Sequence, residues 1–363
     1  MSEGSPRERR PGILVVWTGS SPTLRAFPLE GELVLGRELL GDTSDDRISR
    51  QHARISIRDS TGTDPGVLRF GIMDLGSRNG TYASGQPLVD RAITVTAPVV
   101  VRTGRTVAMV LEDIRRFVDG TVAEHGDALV GPSSAPAWSE TAAASAAGAH
   151  LLVLGEEGVG KSQHARRYSE ARGVRDATFN PTVHAVPIER VLGDAATLIL
   201  EEPGRLLPSH HEVLARLLAQ RPELRVVTTA SARLEQLGVP APLASALSDR
   251  TVEVPPLRVR PEELSYAVAR AARTAAPALT IHSTLIEMAL LRPWPGNFRE
   301  LTTAITQAAH AVAAQGKSNL RGEDLDTEAG YLMSGAPTVN ASVQPTLMGA
   351  RRRRRSVSKA DDR

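Results

Sequence analysis

With 363 residues, a formal net charge of +2 and no cysteine, the chain cannot form disulfides or cysteine metal sites, and as a whole it is not a nucleic-acid polycation. No run approaches the roughly 18 consecutive apolar residues of a membrane span, and Met1–Pro11 is polar, without the apolar core of a signal peptide. A cytoplasmic protein of two or three domains with no membrane partner is expected.

After a disordered N-terminus (residues 1–11), short β-branched runs occupy Ile13–Trp17, Thr23–Pro28, Glu32–Leu35, Ala53–Arg58, Leu68–Asp74 and Val95–Val101. Gly, Pro, Asp and Ser break them at regular intervals, which predicts an all-β sandwich. Three signatures fall on the loops between runs: Gly36-Arg37, Ser49-Arg50-Gln51-His52 and Ser77-Arg78-Asn79-Gly80-Thr81. Arg37 offers a bidentate guanidinium fork. Ser49 offers a hydroxyl, Arg50 and Arg78 add charge or backbone N–H groups, and Asn79 supplies both a donor and an acceptor. Gly36 and Gly80 suit turns. The set fits a phosphate flanked by peptide backbone, because a phosphorylated side chain carries about −1.5 to −2 charge and three acceptor oxygens.

The three signatures, in this order, resemble those of a forkhead-associated (FHA) domain, over roughly residues 12–116. The resemblance implies that Arg37, Ser49, Arg50, Arg78 and Asn79 face a phosphothreonine-containing protein. His52 would then brace the loops from within. Asp42, Asp45 and Asp46 precede Ser49; they either tune peptide choice by repelling acidic partners or only solvate the loop, and solvation is the simpler expectation.

Residues 117–127 read as a linker to a second module, so the two modules are expected to act independently. Ala142–Ala149 reads as helix leading into the apolar run His150–Leu154. Gly155-Glu156-Glu157-Gly158-Val159-Gly160-Lys161-Ser162 follows, the G-x-x-x-x-G-K-S pattern, and then a helix-compatible stretch that Gly173 can end. Loop amides and a helix N-terminus can cradle phosphates. Lys161 would reach the terminal phosphates of ATP and Ser162 would hold Mg²⁺. The chain has only three lysines, Lys161, Lys317 and Lys359, so the position of Lys161 is telling. Thr197–Leu200 before Glu201-Glu202 predicts a buried parallel strand presenting carboxylates. Glu201 and Glu202 are the candidate catalytic acids, with Glu201 on the metal side beside Ser162. Leu224–Thr229 predicts another buried strand. Asn297 is expected to cap a helix, with Glu300 closing a capping box. His210-His211 lie on a polar helix surface with no ligand set nearby, so no metal site is expected.

This order of motifs resembles the AAA+ domain of sigma-54-dependent bacterial transcription activators, over roughly residues 128–315. The matching pieces are the Gly155–Ser162 loop, the strand before Glu201-Glu202, Pro255-Pro256-Leu257-Arg258 and Trp294-Pro295-Gly296-Asn297. Leu129–Ser133 resembles that domain's leading segment. The resemblance implies an α/β core over 128–256, a helical lid over 257–318, a nucleotide-sensing Arg299, and a homo-oligomer as a possible assembly. The departures are as telling. Only 35 residues separate Ser162 from Leu198, too few for the family's sigma-contacting loop, whose signature is absent. Glu201 replaces the usual Asp, and Ser231 stands where a sensor Asn is expected. No arginine occurs between Arg233 and Arg250, where the family places fingers acting in trans. ATP binding with weak or absent hydrolysis is expected.

Residues 319–363 read as a largely disordered basic tail. Its block Arg351–Arg355 either makes weak, salt-sensitive contacts to nucleic acid or an anionic surface, or is solvated. The expected function is a bacterial phosphothreonine-dependent signalling and transcription regulator. A phospho-dependent adaptor with a pseudo-ATPase domain, and an active ATPase on a non-sigma target, are the alternatives.

Overall fold

The computed structural model describes residues 9–41, 44–58, 67–88 and 92–331. The β-branched runs become β1 (Gly12–Thr18), β2 (Ser21–Pro28), β3 (Glu32–Leu35), a one-turn helix α1 (Arg37–Leu40), β4 (Ala53–Arg58), β5 (Arg69–Asp74), β6 (Thr81–Ala83), β7 (Gln86–Pro87), β8 (Ala92–Thr96), β9 (Val99–Thr103) and β10 (Thr106–Leu111). They form two antiparallel sheets, ordered β2-β1-β10-β9-β6-β7 and β3-β4-β5-β8. The run expected over Val95–Val101 divides between the sheets as β8 and β9. Pro98 interrupts it, having no N–H to give a ladder.

Strand β1 is buried on both faces. Ile13 and Val15 point into the sandwich with Val99, Val101, Ala108 and Val110. Leu14, Val16 and Trp17 point the other way, with Val100, Val107 and Met109, into a second apolar cluster. The register shifts between Val15 and Trp17, so Val16 and Trp17 both reach that outer cluster.

The α/β module opens with a hairpin, β11 (Ala123–His125) and β12 (Ala128–Val130), in part of the stretch expected as linker. Then come α2 (Ala135–Ala146), β13 (Leu151–Leu154), α3 (Lys161–Arg172), β14 (Asp176–Phe179), α4 (Ile188–Leu192), β15 (Thr197–Glu201), α5 (Pro208–Gln220), β16 (Arg225–Ala230), α6 (Ala241–Ala246) and β17 (Arg250–Glu253). The five strands are parallel in the order β14-β15-β16-β13-β17. Their apolar residues alternate between a helix layer on each face.

A helical lid follows: α7 (Pro261–Ala275), β18 (Thr280–Ile281), α8 (Ser283–Leu290), α9 (Asn297–Ala314) and β19 (Asn319–Leu320). Two buried carboxylates at the start of α7 hold the segment leading into the core. Glu263 accepts from Gly131 N at 2.9 Å and Ser134 Oγ at 2.6 Å, and Glu262 accepts from Ser133 N at 2.8 Å. The lid continues past 318, where disorder was expected. Asn319–Leu320 pairs with Thr280–Ile281, Leu320 and Leu325 are buried, and Arg292 Nη1 donates to Asp326 O at 2.6 Å and Ala329 O at 2.7 Å. Those contacts order the chain to Tyr331. The rest of the expected tail, with Arg351–Arg355, lies outside the described residues, as do residues 1–8. Among the described residues, no helix is long and apolar enough to cross a membrane.

The outer cluster of the sandwich is also the core of the lid. Leu14, Trp17, Val107, Met109 and Phe117 share it with Leu264, Val268, Leu285, Ile286 and Ile305. Helix α7 lies over β1 and β2, and α8 lies over β9 and β10. Arg102 of β9 pairs with Glu287 of α8 at 2.5 Å, with side chains only 11% and 6% exposed, and stacks on Tyr82 at 3.7 Å. Two modules expected to be independent are therefore joined by one continuous core.

Two imidazoles make this packing pH-sensitive. His164, bonded to Thr141 Oγ1 at 2.8 Å between α2 and α3, is held at about 4 by burial and by Arg260. His282, at the start of α8, is held at about 4 by burial and then by Arg321, Arg102, Arg105 and Arg47. Their ordinary value is 6.5, so between about 4 and 6.5 the unfolded chain binds more protons than the folded one. The stability these neutral rings contribute is complete above about pH 6.5 and declines as pH falls through that window. The melting temperature is expected to fall steadily from pH 7 to 4.5. His282→Asn retains a side-chain acceptor for Thr284 N and should shrink the fall; an unchanged pH profile in that variant would contradict the assignment.

Candidate functional site

Three loops at one end of the sandwich converge by backbone contacts. Arg37 N donates to Ser49 O at 3.0 Å and Glu38 N to Arg50 O at 3.2 Å. Gly36 permits this approach: a Cβ there would sit 2.2 Å from Arg50 O. The Arg37 guanidinium lies along the same loop and donates to Ile48 O at 2.9 Å. Asn79 Nδ2 donates to Arg47 O at 2.6 Å, and Arg78 N to Ser49 Oγ at 3.4 Å.

His52 holds the arrangement from inside. It is fully buried, and its Nδ1 accepts from Ser49 N at 3.1 Å. The proton must then reside on Nε2, which donates to Gly80 O at 3.1 Å. Burial, the largest influence, pulls this ring below its ordinary value and keeps it neutral. One side chain thus fixes the distance between the Ser49 and Asn79 loops. Arg37, Ser49 and Asn79 share one edge, and the exposed guanidinium groups of Arg50 and Arg78 flank it without a hydrogen-bond partner among the described residues.

Two aspartates beneath these loops escaped sequence reasoning. Asp74 accepts from Ser77 N, Ser77 Oγ and Thr81 Oγ1 at 2.8, 2.7 and 2.6 Å, fixing the Asn79 turn. Asp45, expected only to solvate its loop, is buried. It accepts from Arg47 N at 2.9 Å, and from Arg105 N and Thr106 Oγ1, both at 2.8 Å. The Ser77–Thr81 spacing hints at the first; nothing near Asp45 in sequence reveals partners some sixty residues away.

The second constellation gathers where the parallel strands end. Gly155–Gly160 connects β13 to α3, and Lys161 Nζ turns back to Gly155 O at 2.9 Å and Glu156 O at 2.8 Å. Burial lowers the Lys161 pKa; the carboxylates of Glu202, Glu157 and Glu156 oppose that shift, and Arg299 adds to it. Ser162 Oγ donates to Glu201 Oε1 at 3.0 Å, and Asn180 Nδ2 reaches Glu201 Oε2 at 3.3 Å. Glu202 is exposed beside them in a left-handed conformation, φ 50°.

The lid closes directly on this loop. Gly158, φ +69°, is so near α9 that a Cβ would lie 2.1 Å from Gly296 O, and Phe298 N donates to Gly158 O at 3.1 Å. Arg299 Nη1 donates to Glu157 Oε1 at 2.6 Å, and Arg258 forks onto both oxygens of Glu156 at 2.7 and 2.8 Å. Asn297 does not cap α9, whose N-cap is Gly296. Its Oδ1 accepts from Leu257 N at 2.8 Å and its Nδ2 donates to Glu157 O at 2.9 Å. The reason is backbone conformation: Asn297 has φ 51°, so its side chain turns toward the loop. Glu300 still accepts from Gly296 N at 2.9 Å. All six expected nucleotide residues, and both acids, therefore meet at one place.

An ammonium, a hydroxyl and a carboxylate converging beside a glycine loop fit a nucleotide phosphate with a hard divalent cation. The two acids on the loop, Glu156 and Glu157, pair with Arg258 and Arg299 respectively.

Comparison with known proteins matches residues 33–109 to the FHA domain. The chain is 25% identical to the Nif-specific regulatory protein of Azotobacter vinelandii over 60% of its length and 51% of that protein. It is 28% identical to the regulatory protein LuxO of Vibrio cholerae over 48% of its length and 43% of that protein. The chain thus spans about half the length of the curated relatives it matches. Its fold matches the crystal structure of NtrX from Brucella abortus in complex with ADP, with a TM-score of 0.50 at 18% identity, over 60% of this chain and 57% of that one. Residues 33–109 thus match an FHA domain, and the module that follows resembles, in sequence and in fold, the AAA+ modules of sigma-54-type regulators.

Proposed function

We propose that the protein is a phosphothreonine-dependent regulator whose AAA+ module binds ATP with Mg²⁺. The observation that carries this reading is the His52 brace, which ties the loops of Ser49 and Asn79 together beside Arg37 at one edge of the sandwich. Arg37 and Ser49 would take the phosphate oxygens, Arg50 and Arg78 would add charge, and Asn79 would hold the peptide backbone. Lys161 and Arg299 would hold the nucleotide phosphates over Gly155, Gly158 and Gly160. Ser162 and Glu201 would hold Mg²⁺, and Glu202 stands beside them as the candidate catalytic acid. Bound ATP would supply a phosphoanhydride and a charge against which the lid settles. The nucleotide named in the NtrX structure supports this assignment.

Arg37→Ala is expected to abolish binding of a phosphothreonine peptide, since truncating one member of a buried charge pair costs about 2–5 kcal/mol, roughly 30- to 5,000-fold. Calorimetry showing unchanged affinity would remove the site assignment.

This chain alone is not expected to activate sigma-54 transcription. Between β14 and α4 the chain has only the segment Asn180–Pro187, and α4 itself is one short helix. No arginine lies from Leu234 to Asp249, so self-assembly would bring no finger from that segment to a neighbour's phosphate. A missing finger costs about 10³–10⁵ in turnover at comparable sites. The same gap favours a second reading, a scaffold that binds ATP with little turnover. With sigma-54 polymerase, ATP and the full chain, no ATP-dependent promoter opening is expected. Robust opening would show that another segment does the work of the missing loop and finger.

A further inference from the structure

The phosphopeptide edge does not end at the sandwich. Asn79 Nδ2 holds Arg47 O at 2.6 Å, and the Arg47 backbone rests against Gly104, where a Cβ would lie 2.7 Å from Arg47 C. On the far side of Gly104 is the lid: Ser283 Oγ donates to Gly104 O at 3.5 Å. His282 N then donates to Leu320 O at 2.9 Å, and Gly322 N donates to Thr284 Oγ1 at 3.2 Å, which places Arg321 between two lid residues tied to the start of α8. Arg47 and Arg105 from the FHA loops and Arg321 from the lid therefore gather around His282–Ser283.

Their charges are incompletely matched. Arg102, beneath them, is neutralised by Glu287. Arg105 approaches exposed Asp46 at 3.5 Å, and Asp324 accepts from Arg321 N at 2.8 Å while approaching Lys317 at 3.7 Å. The guanidinium groups of Arg47 and Arg321 make no ion pair among the described residues, and both residues are exposed. Asp46, next to Arg47 in sequence, approaches Arg105 instead, and Asp45 is buried and accepts from Arg47 N, Arg105 N and Thr106 Oγ1. Arg321, Arg102, Arg105 and Arg47 all add to the effect of burial in keeping His282 uncharged.

We propose that the lid completes the peptide site: Arg321 joins Arg47 and Arg105 in a second anion subsite, and the preferred partner segment carries a further carboxylate or phosphate near its phosphothreonine. This rests on the phosphothreonine reading above. Of the loop aspartates, Asp45 is turned inward and Asp46 lies against Arg105, so neither forms an ion pair with the Arg47 guanidinium among the described residues. An extended peptide advances about 3.3–3.6 Å per residue, so a few residues carry it from Asn79 past Arg47.

The test uses the full chain and fluorescence anisotropy. One probe is a phosphothreonine peptide with uncharged flanks. The others carry a single Asp or phosphoserine at each of four positions on either side. An anion at one or two neighbouring positions should tighten binding about five- to tenfold, the effect of one or two partly screened charge-assisted hydrogen bonds. Arg321→Ala, on an exposed side chain that leaves the core intact, should erase most of that gain without changing affinity for the uncharged-flank peptide. Phosphoserine outperforming Asp would identify a second phosphate as the ligand, and equal gains a carboxylate. If charged and uncharged flanks bind alike, or Arg321→Ala keeps the gain, the subsite is overturned while the phosphothreonine reading stands. If the wild-type chain fails to bind any phosphothreonine peptide, that reading falls and the subsite falls with it.

Discussion

Everything distinctive about this molecule depends on one strand pair having no free face. β1 and β10 contribute one set of side chains to the sandwich and the alternate set to the lid. An antiparallel sandwich ordinarily leaves its outer faces to water; here Leu14, Trp17, Val107 and Met109 would be exposed if the lid moved away. The Arg102–Glu287 pair stands inside that interface, and removing either member would leave a charge buried without its partner. Apolar burial supplies the attraction, and the ion pair ties α8 to β9 within it.

The same lid makes a second set of contacts at its other end. Gly296, Asn297, Phe298 and Arg299 touch the Gly155–Lys161 loop, and Glu156 and Glu157 answer with carboxylates and carbonyls. One helical unit is thus bonded to the sandwich at α7 and α8 and to the phosphate loop at α9. Any ligand that shifts this unit at one end must work against packing at the other, because packed cores have discrete arrangements and yield little to gradual deformation.

Much of this was legible in sequence. The sandwich, the parallel sheet and the turns that carry both loop constellations follow from local periodicity and glycine placement. What escaped notice was set by long-range partners. Ile13–Trp17 and Val107–Val110 are unbroken apolar runs, a pattern that means burial on two sides, but the second cover is more than 150 residues away. Asp45 looks like a loop acid until Arg105 and Thr106 arrive beneath it. Asn297 looks like a helix cap because the residue type fits, whereas its left-handed backbone turns the amide to Leu257 N and Glu157 O. Asn319–Leu320 offers too short a strand to recognise without Thr280–Ile281 beside it.

Native-state hydrogen exchange on the full chain, at a series of low denaturant concentrations, tests the shared core most directly. The amides of β1 and β10 and those of α7 and α8 should merge into one opening reaction, with the same free energy and the same denaturant dependence. If the sandwich strands exchange through an opening of their own while the lid helices stay protected, the two modules are separate units that merely touch, and the central claim is wrong.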